Sequence, residues 1–247
     1  MKSIQKILGH LRRADEKFRL IANGDRICVG VSGGKDSLLL LQCLVAYQKF
    51  GLKNFQIVAA TVDCTGGALD YSQVAAFCDK QGVKYIIEPS NIFEIIFDIR
   101  KEKNPCSLCS KLRGGMLNGV ALREGCNKVA LAHHGDDLIE TFCLSLFYEG
   151  RISTFLPKSF LDKTGLTLIR PFVYVTEREI MPFVQQLPVV SNPCPANHNT
   201  QREYMKKLVE KFESDMPGAR ERMLAAITRE MLKGEESFDN ENKKPHN

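Results

Sequence analysis

The chain has 247 residues, 44% hydrophobic and 26% charged, with a formal net charge of +5. These are ordinary values for a soluble globular chain with a sizeable core, and the mild basicity admits a nucleic-acid partner without requiring one. The first residues reach Arg12-Arg13 without the apolar core of a secretory leader, and no stretch approaches the ~18 apolar residues of a membrane span, so a cytoplasmic protein with no membrane association is expected.

In chain order, Ile4, Ile7, Leu8, Leu11, Phe18 and Ile21 repeat at helical spacing, and Asn23-Gly24 stops the run. Residues 1–24 are therefore expected as an N-terminal helical extension. Its basic face is either a solvated helix surface or an RNA contact, with Arg12 and Arg13 as the candidate residues. Arg26–Val31 reads as a buried strand, Ser37–Phe50 as an apolar helix and Phe55–Val62 as a second strand. A helix over 69–81, a strand at Lys84–Glu88, a basic helix over 110–124, a strand at Lys128–Ala132 and a helix at Asp136–Phe147 follow, with a fifth strand at Leu166–Ile169. Strands alternating with helices predict an α/β fold, an open parallel sheet with helices on both faces. Residues 25–233 are expected as one domain, with a helical C-terminal part from 176 broken at Pro188–Pro195, and 234–247 as a polar, disordered tail.

Between the first strand and its helix stands Ser32-Gly33-Gly34-Lys35-Asp36-Ser37. Two glycines let backbone N–H groups approach an anion, and the helix aims its positive end at the same point. Lys35 adds a point charge, and Ser32 and Ser37 add hydroxyls. This is not a Walker A loop: Val29 stands where the first glycine belongs and Asp36 where Ser or Thr belongs. Asp36 is an oxygen donor suited to Mg²⁺. Asp63 ends the second strand, at the sheet edge where ligands of open α/β folds sit.

Nine cysteines in a reducing compartment are poor disulfide partners, so clustered ones point to metal binding or redox chemistry. Cys106-Ser107-Leu108-Cys109 is a C-x-x-C pair, whose spacing serves either use. Cys194 lies between Pro193 and Pro195, a stiff loop that does not suit a core filler. The other six sit in apolar contexts and read as buried thiols, Cys64 least clearly because it borders the predicted active edge. Three thiolates would leave an open position on a metal; His198 could instead complete a Cys3His zinc site.

The Ser-Gly-Gly-Lys-Asp-Ser run resembles the signature of the PP-loop ATPases, or N-type ATP pyrophosphatases. The order of loop 32–37, Asp63, Cys106–Gly114, Ala132-His133-His134-Gly135-Asp136-Asp137, Pro193-Cys194 and Gln201-Arg202 is similar to that of the tRNA 2-thiocytidine synthetase (TtcA) family. The resemblance covers roughly residues 10–230. It implies that ATP and Mg²⁺ bind at the loop, with His133 and Asp137 also at the nucleotide, and that Cys106, Cys109 and Cys194 hold a [4Fe–4S] cluster. It further implies that cytidine 32 in the anticodon loop of a tRNA is adenylylated and thiolated. Lys111 and Arg113 would contact phosphate, a cysteine desulfurase or similar donor would supply sulfur, and the protein would be a homodimer. Thiolation of another tRNA position or a small molecule, and a lysidine-synthetase-like ligase with a structural zinc, are the alternatives. Leu112, Ala132 and Gly135 depart from the family pattern, and the second cysteine common after the Cys194 equivalent is absent.

Overall fold

The apolar run Arg26–Gly30 forms the central strand β1, and the elements that build the site are arranged around it. The computed structural model describes residues 4–51, 53–103, 105–191, 193–194 and 201–241, with side chains followed as far as residue 230. By compactness these fall into two units, 1–134 with 157–198, and 135–156 with 199–247.

In the first unit β1 pairs in parallel with β2 (Gln56–Asp63) and with β4 (Lys128–Ala130). Beyond β2 lies β3 (Lys84–Pro89), and beyond β4 lies β6 (Leu166–Ile169), both parallel. One edge is closed by β5 (Lys158–Leu161), antiparallel to β6, which gives the order β3-β2-β1-β4-β6-β5. The sequence predicts β6 but not β5. A short edge strand with one covered side lacks the continuous apolar run that marks a central strand. The hairpin closes at Gly165, which adopts φ 69° and donates its N–H to Leu161 O at 2.8 Å.

β1 and β4 are neighbours in space although β2 and β3 intervene in sequence, and the chain leaves them in opposite directions. Between their carboxyl ends lies the switch point at which open sheets bind ligands. The helix α4 (Pro105–Arg123) covers one face, with Leu117, Val120 and Ala121 packed on Cys28, Val58, Ala60 and Val129. The approach is close: a Cβ at Gly30 would lie 2.8 Å from Leu117 Cδ2. Strand alternation turns Ile27 and Val29 to the other face, toward the leucine-rich α2 (Lys35–Lys49), on which α1 (Gln5–Phe18) packs.

Three boundaries differ from the sequence reading. α1 stops at Phe18 rather than near residue 22, because Arg19 turns left-handed at φ 49° and the Asp15 carboxylate takes the Ile21 N–H at 2.8 Å. Five residues sooner than expected, α4 begins at Pro105, whose fixed φ and missing N–H suit the first helical position; the C-x-x-C pair therefore lies on helix, not in a turn. Past Gly234, which costs a helix only about 1 kcal/mol, α8 (Ala219–Glu241) runs on where a disordered tail was expected; 242–247 lie outside the described residues.

In the second unit α5 (Gly135–Glu149), α7 (Gln201–Asp215) and α8 bury one cluster of Leu138, Ile139, Cys143, Met205, Val209 and Ile227. A cavity of about 460 Å³ there is bounded by Phe142, Ile152, Leu156, Met223 and Ile227, with Glu230 the sole charged wall among the described residues. It lacks the convergent donors a nucleotide needs.

Candidate nucleotide and thiol site

Immediately after β1 the chain makes one more sheet bond, Val31 N–H to Ala60 O at 2.8 Å, and then turns into the glycine loop. Gly33 takes φ 81°, a left-handed conformation that side chains rarely adopt, and an added Cβ would lie 3.1 Å from Val190 Cβ. Val190 N–H donates to Gly33 O at 3.0 Å, so the stretch before residue 191 holds the loop from outside. Gly34 is extended and caps α2.

Both serines serve the loop itself. Ser37 Oγ donates to Gly34 O at 2.9 Å and accepts Ser32 N–H at 3.1 Å, while Ser32 Oγ accepts Gly34 N–H at 3.3 Å. The sequence offered these hydroxyls as phosphate donors; as placed, they set the curvature that presents the backbone. Anion donors then come from the unpaired first-turn N–H groups of α2 and from Lys35.

Lys35 Nζ lies 3.1 Å from Asp36 Oδ2 and 3.1 Å from Glu177 Oε1. Burial works to lower the Lys35 pKa, but the two carboxylates outweigh it and hold the pKa above its ordinary value, so the cation is secure. Asp36 Oδ1, by contrast, is buried without a hydrogen-bond partner. An orphaned carboxylate oxygen beside a phosphate loop fits a hard cation such as Mg²⁺. Glu177 opens the short helix α6 (Glu177–Ile180), and sequence reasoning missed it. Its signal was Thr176 with Glu179 three residues later, a capping box that marks a helix start; Glu179 Oε2 accepts the Thr176 N–H at 2.9 Å.

Asp63 is buried and fully engaged. Oδ1 accepts Thr65 N–H at 3.0 Å and Thr65 Oγ–H at 2.7 Å, and Oδ2 accepts Gly67 N–H at 2.7 Å. It shapes the 63–67 turn at the carboxyl end of β2.

Cys106 is exposed and Cys109 half-buried, one turn apart at the amino end of α4, where the helix dipole favours thiolates. Cys64, the least clear of the buried readings because it borders the active edge, is buried in a cluster with Ile92 and Ile96, against which Cys109 packs. Cys64 Sγ–H donates to Val62 O at 3.7 Å; the interaction between the two thiols, together with Arg113, favours Cys109 as thiolate against the effect of burial. The same interaction, and burial, push Cys64 upward. Cys194 is half-buried, and among the described residues no three His, Cys, Asp or Glu side chains converge on a point. In chemical kind the three thiols fit an iron or zinc centre. His198 lies outside the described residues.

A family model described as a PP-loop domain matches residues 3–211. A tRNA-cytidine(32) 2-sulfurtransferase of Geobacter metallireducens is 37% identical over 92% of this chain and 90% of its own length, and one of Pelobacter propionicus is 39% identical over 87% and 82%. The chain belongs to the PP-loop family, among the tRNA-cytidine(32) 2-sulfurtransferases. Its fold is also that of a U34-tRNA thiolase, NcsA, of Methanococcus maripaludis, solved with its [4Fe-4S] cluster: TM-score 0.73, 23% identity, 91% of this chain and 78% of that one.

The remaining residues expected of a PP-loop site divide between the units. His133 and His134 follow β4 at the sheet edge in the first unit. Asp137 lies in the first turn of α5 in the second, where Arg202 Nη1 reaches its Oδ1 at 3.3 Å and Glu140 Oε2 at 3.4 Å, while Nη2 donates to Thr141 Oγ1 at 3.0 Å. Arg220 pairs with Asp136 in the same unit. The family-like Gln201-Arg202 pair therefore anchors α7 to α5. Of the basic candidates, Arg12 pairs with Glu16 at 2.7 Å and Arg13 stacks 4.4 Å over the Tyr174 ring, whereas Lys111 and Arg113 are exposed on α4.

Proposed function

We propose that this protein is an ATP-dependent tRNA sulfurtransferase that adenylylates the C2 oxygen of a pyrimidine, cytidine 32 by kinship, and replaces it with sulfur. The carrying observation is that a phosphate loop with an orphaned carboxylate oxygen and a C-x-x-C thiol pair occur in one unit, in a chain 37% identical to relatives of that name.

Lys35 and the first-turn N–H groups of α2 would hold the β- and γ-phosphates, which leaves the α-phosphorus facing the base. Asp36 Oδ1 would hold Mg²⁺, which neutralises charge on the phosphates as pyrophosphate departs. Asp63, by fixing the turn after β2, keeps the edge of the pocket in shape, and His133 is a candidate nucleotide contact from the neighbouring edge. Adenylylation converts the C2 oxygen into part of a good leaving group, so a sulfur nucleophile can displace AMP. Cys106, Cys109 and Cys194 would hold a [4Fe–4S] cluster, whose free iron position would supply a place for sulfide. Lys111 and Arg113 would take tRNA phosphates while the target base leaves the anticodon-loop stack. The reading extends to a cytoplasmic homodimer and to a sulfur donor of the cysteine desulfurase kind.

The test is to restore a strain lacking the protein with wild type or Asp36→Asn and to quantify 2-thiocytidine in its tRNA. Purified protein is assayed alongside for iron and acid-labile sulfide. Wild type is expected to restore the nucleoside and to carry about four irons and four sulfides per chain. Asp36→Asn should keep the cluster but lower turnover by about two orders of magnitude. One zinc without sulfide, and no thiolated nucleoside, would replace this reading with that of an adenylylating ligase.

A further inference from the structure

Cys64 belongs to no motif and is not among the three thiols assigned to the metal, yet Cys109 packs against its cluster and is the group it interacts with most. It follows Asp63 at the end of β2, and its position is set from both sides along the chain. Behind it the Asp63 carboxylate locks the turn through Thr65 and Gly67; its own carbonyl accepts the Phe93 N–H at 3.0 Å. Ile92, Ile96, Phe93 and Phe97 wall its side chain, and Leu108, Leu112 and Met116 approach from α4. Cys109 packs against the same cluster and is half-buried, whereas Cys106 on the preceding turn is exposed.

We propose that Cys64 and Cys109 form a reversible disulfide when the metal-free protein meets a hydroperoxide, with Cys64 as the resolving thiol of the C-x-x-C pair. The thiolate sulfur of Cys109 attacks one peroxide oxygen, the O–O bond breaks, and the departing hydroxide takes up a proton to leave as water. Cys109 is then a sulfenic acid. The Cys64 sulfur attacks it, the S–S bond forms, the S–O bond breaks, and the Cys64 proton leaves with the oxygen as a second water. Two thiols lose two electrons, and hydrogen peroxide gains them. A dithiol reductant reverses the change by exchange. The bridge keeps Cys109 from the irreversible sulfinic and sulfonic stages. Under the proposed function it also withdraws one metal thiol until reductant returns; that consequence rests on the proposed function, while the disulfide itself does not.

The full chain is stripped of metal by an anaerobic chelator, treated with equimolar hydrogen peroxide, alkylated and digested, and the bridged sulfurs are assigned by tandem mass spectrometry. The expected result is a Cys64–Cys109 bridge that dithiothreitol removes. Cys64→Ser and Cys64→Ala, each checked for native circular dichroism, should lose the bridge and accumulate sulfinic or sulfonic Cys109. A Cys106–Cys109 bridge in wild type, or over-oxidised Cys109 beside reduced Cys64, overturns the proposal. The readout contains no tRNA, so a failure of tRNA thiolation and a failure of this bridge are seen separately.

Discussion

At the scale of single residues, the loop works through one backbone torsion and one unsatisfied oxygen. Gly33 at φ 81° puts a side chain both into a left-handed conformation and 3.1 Å from Val190 Cβ. Gly33→Ala is therefore expected to cost about 1–2 kcal/mol from the torsion alone and to weaken ATP binding. A denaturant titration and a nucleotide-binding isotherm measure the two effects; an unchanged isotherm would mean that the loop does not need this conformation. Ser32 to Ser37 was legible in the sequence because its glycines, its charge and its following helix are contiguous. Val190 was not, because it reaches the loop from a distant stretch and carries no motif of its own; Glu177 was marked only indirectly, by the helix start at Thr176, and Cys64 only by its place beside Asp63. Pattern gives the residue types at a loop; the fold gives the neighbours that hold them.

At the scale of elements, the amino end of α5 gathers Asp136, Asp137 and Glu140, answered by Arg202 from α7 and Arg220 from α8. Burial pushes the Glu140 pKa up to about 7, Asp137 adds to the push, Arg202 opposes it, Asp136 adds again and Lys206 opposes. A carboxyl raised in the folded state binds its proton there more readily than in the unfolded chain. Folding stability is then highest below about pH 4.5 for this group and falls as pH rises toward 7. Glu140→Gln should remove that slope and raise the stability of the helical unit at pH 8 by of order 2 kcal/mol. Amide exchange in α5, α7 and α8 at pH 5 and pH 8 checks it, and equal protection of both proteins at pH 8 counts against the assignment. Helix α5 itself was legible from its apolar spacing. Its partners were not, since a period names the face a helix buries and is silent on what covers it.

At the scale of the whole molecule, the sheet's parallel core followed from alternating strands and helices, while the antiparallel edge strand and the grouping of the helices did not. The amino-terminal helix, expected as an extension, has Ile7, Leu8, Leu11, Ala14 and Phe18 all buried. Asp15 beside them is fully buried and accepts Tyr47 Oη–H at 2.8 Å and Lys53 Nζ–H at 2.6 Å. Asp15→Ala leaves those donors without their acceptor and is expected to cost about 2–4 kcal/mol. For a chain of this size that lowers the thermal midpoint by roughly 5–10 °C, measured by calorimetry; a midpoint unchanged within a degree or so would make the helix an appendage after all. The second unit is assembled from two stretches of chain, 135–156 and 199–247, with 157–198 belonging elsewhere. On the ribosome, α5 therefore emerges with Leu138, Ile139 and Cys143 uncovered, and waits for Met205 and Val209 to be made. At ordinary elongation rates that delay is several seconds, a window in which a nascent-chain chaperone has an apolar helix to hold.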